Sequence, residues 1–179
     1  MKLETSDIEA RAQPIKLLLM DCDGVLTDGQ LTLLADGDEQ KTFHARDGQG
    51  ISLFHRAGFR TGIISGRTSS AVERRAQDLK MSYVRQSAKD KIKALDEILA
   101  LAGVSVDECA YIGDDVGDIP VMQRVALAVA VADAVEETKQ AAHYVTKLNG
   151  GQGAVRETIE VILKAQGRWP ELMRKYIEE

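Results

Sequence analysis

Apolar residues fall along the 179-residue chain in short, dense runs separated by longer stretches of mixed character. The first run is "IKLLLM" (15–20), which shows no alternation of polar and apolar positions. Unbroken runs of this length predict strands covered on both faces, as in a parallel sheet. "FRTGIIS" (59–65), "MSYV" (81–84), "CAYIG" (109–113) and "LAVAVA" (127–132) have the same character. Between them the apolar spacing lengthens to that of a helix, over roughly 49–57, 69–79 and 89–101. In the last of these, Ile92, Leu95, Ile98 and Leu99 share one face, and Gly103 stands where a helix C-cap belongs. Strand and helix alternate several times. The pattern predicts an α/β fold, a Rossmann-like parallel sheet with helices on both faces.

One segment breaks the alternation. "QLTLLADGDEQKTFHARDG" (30–48) reads as two short strands around an Asp36-Gly37 turn, a small β-hairpin insertion after the first strand. It follows that strand directly, so it projects from the end of the sheet where the strand finishes. After "NGGQGAVRETIEVILKAQ", which holds an amphipathic helix, comes "GRWPELMRKYIEE", read as a charged tail over about 167–179. No internal repeat or second core is visible. Residues 1–179 therefore read as a single domain with its hairpin insertion at about 30–45.

Composition narrows the function classes. Hydrophobic residues are 44%, charged residues 28% and the net charge is -5, with no basic excess to suggest a nucleic-acid partner. Two cysteines, Cys22 and Cys109, make no disulfide framework and fit a reducing compartment. "MKLETSDIEARAQPIK" has no apolar segment of the secretory kind, and no run approaches the roughly 20 residues that span a bilayer. The expectation is a cytoplasmic protein without a membrane partner.

The candidate chemistry sits where strands end. "LLLMDCDGVLTDG" stops on Asp21 and Asp23, with Gly24 allowing a sharp turn. "GDDVGD" closes a later strand with Asp114, Asp115 and Asp118. Ligands of open parallel sheets bind at these carboxyl ends. Two acidic clusters there repel each other unless a cation intervenes, and oxygen-only ligands point to Mg2+. "ISGR" adds the Ser65 hydroxyl and the Arg67 cation. "AKDKIKAL" puts Lys89 and Lys91 at a helix start, against the dipole preference unless an anion is near. Carboxylates, a metal, a hydroxyl and a lysine together make a phosphoryl-transfer site.

Each piece alone has an ordinary reading. Asp-x-Asp is commonly a turn, Ser65 a cap for the helix near Ser69, and Lys89 and Lys93 a solvated face. Arg74 pairs naturally along its own helix, and His55 and His143 read as structural. Cys22 invites a thiol mechanism, but a cysteine phosphatase needs an arginine after five intervening residues, where Asp28 stands. The glycines of "NGGQG" read as a loop before the last long helix.

Taken together, "DCDGVLTDG", "ISGR", "KDKIKAL" and "GDDVGD" resemble the four motifs of the haloacid dehalogenase-like phosphohydrolases, in the right order. "FHARDGQGI", "YIGDDVGDIPVM", "VAVADA", "YVT" and "GGQGAVRE" resemble the small phosphatases of 3-deoxy-D-manno-octulosonate 8-phosphate over most of 15–166. The resemblance implies Asp21 as nucleophile, forming an aspartyl-phosphate, and Asp23 as the acid and base. It implies Mg2+ on the Asp21 carboxylate, the Asp23 backbone carbonyl and Asp114, with Asp115 and Asp118 behind them. Ser65 and Lys91 would hold the phosphoryl oxygens, and His44, Arg46, Gly48, Arg67 and Arg75 would meet the sugar acid. Ser52 departs from an arginine common in the family. The family's hairpin packs in a homotetramer whose subunits help to close one another's sites. Open alternatives are a nine-carbon ulosonic acid 9-phosphate as substrate, a receiver-type phospho-aspartate domain, and a non-catalytic oligomerisation module.

Overall fold

The computed structural model describes residues 5–35 and 37–178. It opens with α1 (Thr5–Ala12), which leads into β1 (Leu17–Met20). The hairpin follows as β2 (Thr32–Leu33) and β3 (Glu39–Gln40), then α2 (Ala45–Arg56), β4 (Arg60–Ile64), α3 (Ser70–Asp78) and β5 (Tyr83–Arg85). The second half runs α4 (Lys91–Ala102), β6 (Cys109–Gly113), α5 (Ile119–Met122), β7 (Leu127–Ala130), α6 (Glu136–Ala141), β8 (Tyr144–Val145), α7 (Ala154–Ala165) and α8 (Trp169–Ile177).

Six strands form one parallel sheet in the order β5-β4-β1-β6-β7-β8. β1 is central, and all four of its side chains are fully buried, which is why its sequence shows no alternation. Met20 lies beside Ile63 of β4 and Ile112 of β6. This register brings Asp21, Ser65 and Asp114 to the same edge of the sheet. α2 and α7 pack together with α1, while α4 packs against α5, so helices clothe the sheet.

Several elements depart from the sequence pattern. α2 begins at Ala45, four residues early, because His44 caps it, its Nδ1 accepting from Arg46 N at 3.3 Å. The first turn buries Asp47 and Gly48, which carry no hydrophobic signature. Asp47 instead accepts from Arg156 N at 2.8 Å, tying α2 to the start of α7. α4 begins at Lys91 and not at Lys89, since Asp90 caps it through Lys93 N at 3.0 Å. The tail read as merely charged contains the helix α8. Trp169 of that helix lies under the Arg156 and Lys164 cations, 5.1 and 5.2 Å from its ring centre. Its Tyr176 hydroxyl accepts from Arg56 at 2.6 Å and from Gln49 at 3.0 Å.

The hairpin strands are only two residues each and antiparallel. Gly37 sits at φ +88°, and Leu34 N donates to Asp38 O at 2.9 Å across the turn. Asp36, the other half of the expected turn, lies outside the described residues. Leu31, Leu33 and Leu34 are 49, 74 and 43% exposed. Phe43, in contrast, packs on the core, with Arg75 5.6 Å above its ring.

Candidate active site

Asp21 continues the β1 ladder, its N–H donating to Ile112 O at 3.0 Å. Its Oδ1 accepts from Cys22 N at 2.7 Å, and its Oδ2 faces Lys91 Nζ at 2.9 Å. A cleft of about 340 Å³ opens here, lined by Asp21, Asp23, Ser65, Arg67, Lys91 and Asp114 among others. Ser65, 3% exposed, accepts from Arg67 N at 3.3 Å.

Glycine makes the crowding feasible. Gly24 has φ +86°, and a Cβ there would come within 2.1 Å of Asp114 Oδ2. The "NGGQG" glycines serve packing of the same kind. A Cβ on Gly150 would fall 1.6 Å from Gly24 O, and Gly151 N donates to Val25 O at 2.9 Å. That loop therefore buttresses the turn carrying Asp23.

Asp118 is the hub of the acidic cluster. Its Oδ1 accepts from Tyr111 OH at 2.6 Å and Lys91 Nζ at 2.7 Å, its Oδ2 from Asp114 N at 3.0 Å and Asp115 N at 3.3 Å. Four donors on a 1% exposed carboxylate fix both the lysine and the loop. Asp115 is exposed and caps the following turn through Val116 N at 2.7 Å. The anions that offset Lys91 at the start of α4 are thus Asp21 and Asp118 of the chain itself.

Electrostatics mark the cluster as strained. Burial, then the Asp118 charge, raise Asp21 to about 6 against the pull of Lys91. Burial, with Asp118, Asp21 and Asp115, raises Asp114 to about 8. Burial works to lower the Lys91 pKa, but Asp21 and Asp118 outweigh it and keep the value above its ordinary level. One oxygen each of Asp21, Asp114 and Asp118 lies within 4.8 Å of the others. Asp114 Oδ1 is buried with no hydrogen-bond partner. An oxygen-only set with an unsatisfied buried oxygen fits a hard divalent cation. Cys22 is fully buried, and burial followed by Asp23 and Asp21 pushes its thiol far up, so it stays protonated and inert.

Sequence reasoning named Arg67 but missed two other groups around Asp23, Lys41 and Glu39. Lys41, just beyond β3, pairs with Asp23 Oδ1 and stands 3.2 Å from Glu39 Oε2. Glu39 Oε1 pairs with the Arg67 guanidinium, whose Nε lies 3.6 Å from Asp23 Oδ2. No local pattern announces this network, because it forms only when the hairpin folds back over the sheet edge. Tyr111 was missed because, inside the apolar run of β6, it reads as one more buried strand residue.

The other sugar-acid candidates lie apart from the cleft of the single chain. His44 serves as the α2 cap. Arg46 lines a separate hollow with Leu148, Gly153, Arg156, Glu157 and Glu160. Gly48 admits Arg75, whose Nη2 would be 2.6 Å from a Cβ there. Ser52 is exposed on α2.

A parallel sheet whose central strands end on a carboxylate pair, a hydroxyl and an acidic cluster, with a lysine between, defines a phosphohydrolase-type fold and cleft. Residues 84–159 match the family model of haloacid dehalogenase-like hydrolases. The chain is 40% identical over 167 residues, 93% of its length and 89% of the relative's, to the 3-deoxy-D-manno-octulosonate 8-phosphate phosphatase of Escherichia coli K12. A Moraxella catarrhalis phosphatase of that name, solved with a magnesium ion, a phosphate ion and a KDO molecule, superposes with a TM-score of 0.94. It is 37% identical, over 97% of this chain and 99% of that one. A probable YrbI family phosphatase from Pseudomonas syringae gives a TM-score of 0.95 at 44% identity, over 97% and 99% of the two chains. The chain belongs to the 3-deoxy-D-manno-octulosonate 8-phosphate phosphatase family.

Proposed function

We propose that this protein is a Mg2+-dependent phosphomonoesterase that hydrolyses 3-deoxy-D-manno-octulosonate 8-phosphate to 3-deoxy-D-manno-octulosonate and phosphate. The observation that carries the reading is the placement of Asp21, held at the end of β1 against Lys91 and within reach of Asp114. The Escherichia coli and Moraxella catarrhalis relatives carry the same activity in their names.

An Asp21 carboxylate oxygen attacks phosphorus, and the bond from phosphorus to the sugar oxygen breaks as the aspartyl-phosphate forms. Asp23 passes a proton to the departing alkoxide. In the second step Asp23 takes a proton from water, whose oxygen attacks phosphorus and releases phosphate from Asp21. Ser65 and Lys91 hold the phosphoryl oxygens, and Lys91 neutralises charge that builds on them. Asp21, the backbone oxygen of Asp23 and Asp114 are the groups to hold Mg2+, which when bound supplies charge neutralisation at the phosphoryl group. Asp115 and Asp118 support that set, Asp118 by fixing Lys91 and the Asp114 loop.

Substrate selection belongs to the assembly. Leu31, Leu33 and Leu34 leave an apolar face on the hairpin that a homotetramer would bury. Arg67 meets the sugar acid from within the chain, while His44, Arg46, Gly48 and Arg75 contribute at the closed site. The whole chain acts as one domain, in the cytoplasm, supplying the eight-carbon acid for lipopolysaccharide. Among the described residues no helix is long and apolar enough to cross a membrane. The test is phosphate release with Mg2+ from eight- and nine-carbon ulosonic acid phosphates. Preference for the eight-carbon ester is expected. Equal rates would reduce the reading to a general sugar phosphatase, and absence of turnover on either would overturn it.

A further inference from the structure

The hairpin does more at the cleft than carry an apolar face. Lys41 is 2% exposed at its side chain, an unusual burial for an ammonium group. It is held by two carboxylates, Asp23 Oδ1 and, at 3.2 Å, Glu39 Oε2. Glu39 spans two cations, since its other oxygen pairs with Arg67. Arg67 lines the cleft and lies 3.6 Å from Asp23 Oδ2. The two oxygens of Asp23 are therefore distinguished. Oδ1 is engaged by the hairpin, and Oδ2 stands on the side of the cleft-lining arginine.

We propose that Lys41 is a positioning residue for Asp23, with Glu39 as its anchor: Lys41 holds Oδ1 and leaves Oδ2 as the oxygen that exchanges protons with the substrate. This rests on the phosphomonoesterase reading above. The proton on Oδ2 goes to the sugar oxygen as its bond to phosphorus breaks and the bond from Asp21 to phosphorus forms. Oδ2 then receives a proton from the attacking water, restoring the starting state. Without the Lys41 ammonium, the looser Arg67 contact at 3.6 Å is left to restrain Asp23, whose side chain can then turn away from the cleft. A carboxylate displaced by an ångström loses most of its value as an acid. The hairpin thereby couples its own docking on the sheet edge to the competence of the acid.

The test compares Lys41→Met, Lys41→Arg and Glu39→Gln on two substrates, 3-deoxy-D-manno-octulosonate 8-phosphate and p-nitrophenyl phosphate, with thermal melting as the control for folding. The sugar alkoxide needs a proton to leave, whereas p-nitrophenolate leaves unaided. Lys41→Met should lower kcat on the sugar ester by roughly 10²-fold, with KM changed less than about threefold. On p-nitrophenyl phosphate it should keep the first step within roughly fivefold, while the slowed second step shows as a burst of p-nitrophenolate. Lys41→Arg should restore most of the sugar-ester rate, and Glu39→Gln should reproduce the Lys41→Met pattern more weakly. Equal loss on both substrates without a burst, or full activity in Lys41→Met, overturns the role. Failure of the underlying reading shows differently, as wild-type protein that leaves the sugar ester intact.

Discussion

The carboxyl edge of the sheet and the hairpin that rises from it are neighbours in sequence and opposites in construction. At the edge, four buried residues of β1 deliver Asp21 into a lattice where Asp118 accepts four hydrogen bonds and glycine allows the closest approaches. In the hairpin, two-residue strands carry leucines into solvent, and ion pairs from Glu39 and Lys41 tie its base to the cleft. Rigid packing fits the region that positions reacting atoms. Exposed leucines fit the role in assembly proposed for the hairpin. On the proposed reading the chemistry is complete within one chain, while the enclosure of the substrate would need its assembly.

Changes at the edge should abolish turnover without disturbing the hairpin. Asp21→Asn removes the nucleophile and should lower kcat on the order of 10⁴-fold or more without lowering the melting temperature, read by phosphate release and circular dichroism. Gly24→Ala forces a Cβ to within 2.1 Å of Asp114 Oδ2 at φ +86°, so it should cost roughly 10²-fold in kcat and lower the melting temperature.

Changes to the exposed leucines of the hairpin should do the converse. Leu33→Asp, at a position 74% exposed, should leave the chain folded but separate its assembly into smaller species on light scattering, with a kcat loss of about tenfold. Retained assembly and activity in that variant would erase the contrast between the two regions.

The smallest effect is on stability, and its sign distinguishes the edge from an ordinary acidic surface. Asp114, raised from 3.8 to about 8, and Asp21, raised to about 6, bind protons more tightly folded than unfolded. The stability they contribute is full below about pH 4 and is lost as pH rises through 6 and on through 8. Metal-free protein should therefore melt roughly 5 °C lower at pH 8 than at pH 5. Added Mg2+ should reverse the loss, and Asp114→Asn should remove most of it. Calorimetry across that range checks all three.

Much of this was legible in the sequence because strand ends are local features. An apolar run followed by Asp21 and Asp23, or by Asp114, Asp115 and Asp118, marks a sheet edge without knowledge of the fold. Five of the six parallel strands were visible as apolar runs. β8 was not, since two half-buried residues leave no pattern. α6, at six residues, and α5, at four, are too short to show a period. α8 has no fully buried residue, only Trp169, Leu172 and Met173 half-buried among charged neighbours, so it read as a charged tail. The Lys41 and Glu39 pairs and the Tyr111 hydrogen bond join residues far apart in the chain or facing inward, and such contacts exist only in the folded molecule.

The central claim is that Asp21 takes the phosphoryl group. Acid quench of the protein during turnover of 3-deoxy-D-manno-octulosonate 8-phosphate, followed by mass spectrometry of the peptide containing Asp21, tests it most directly. The account predicts phosphate on Asp21 and none in the Asp21→Asn variant. Phosphate on another residue, or turnover with no phosphorylated carboxylate, would contradict it.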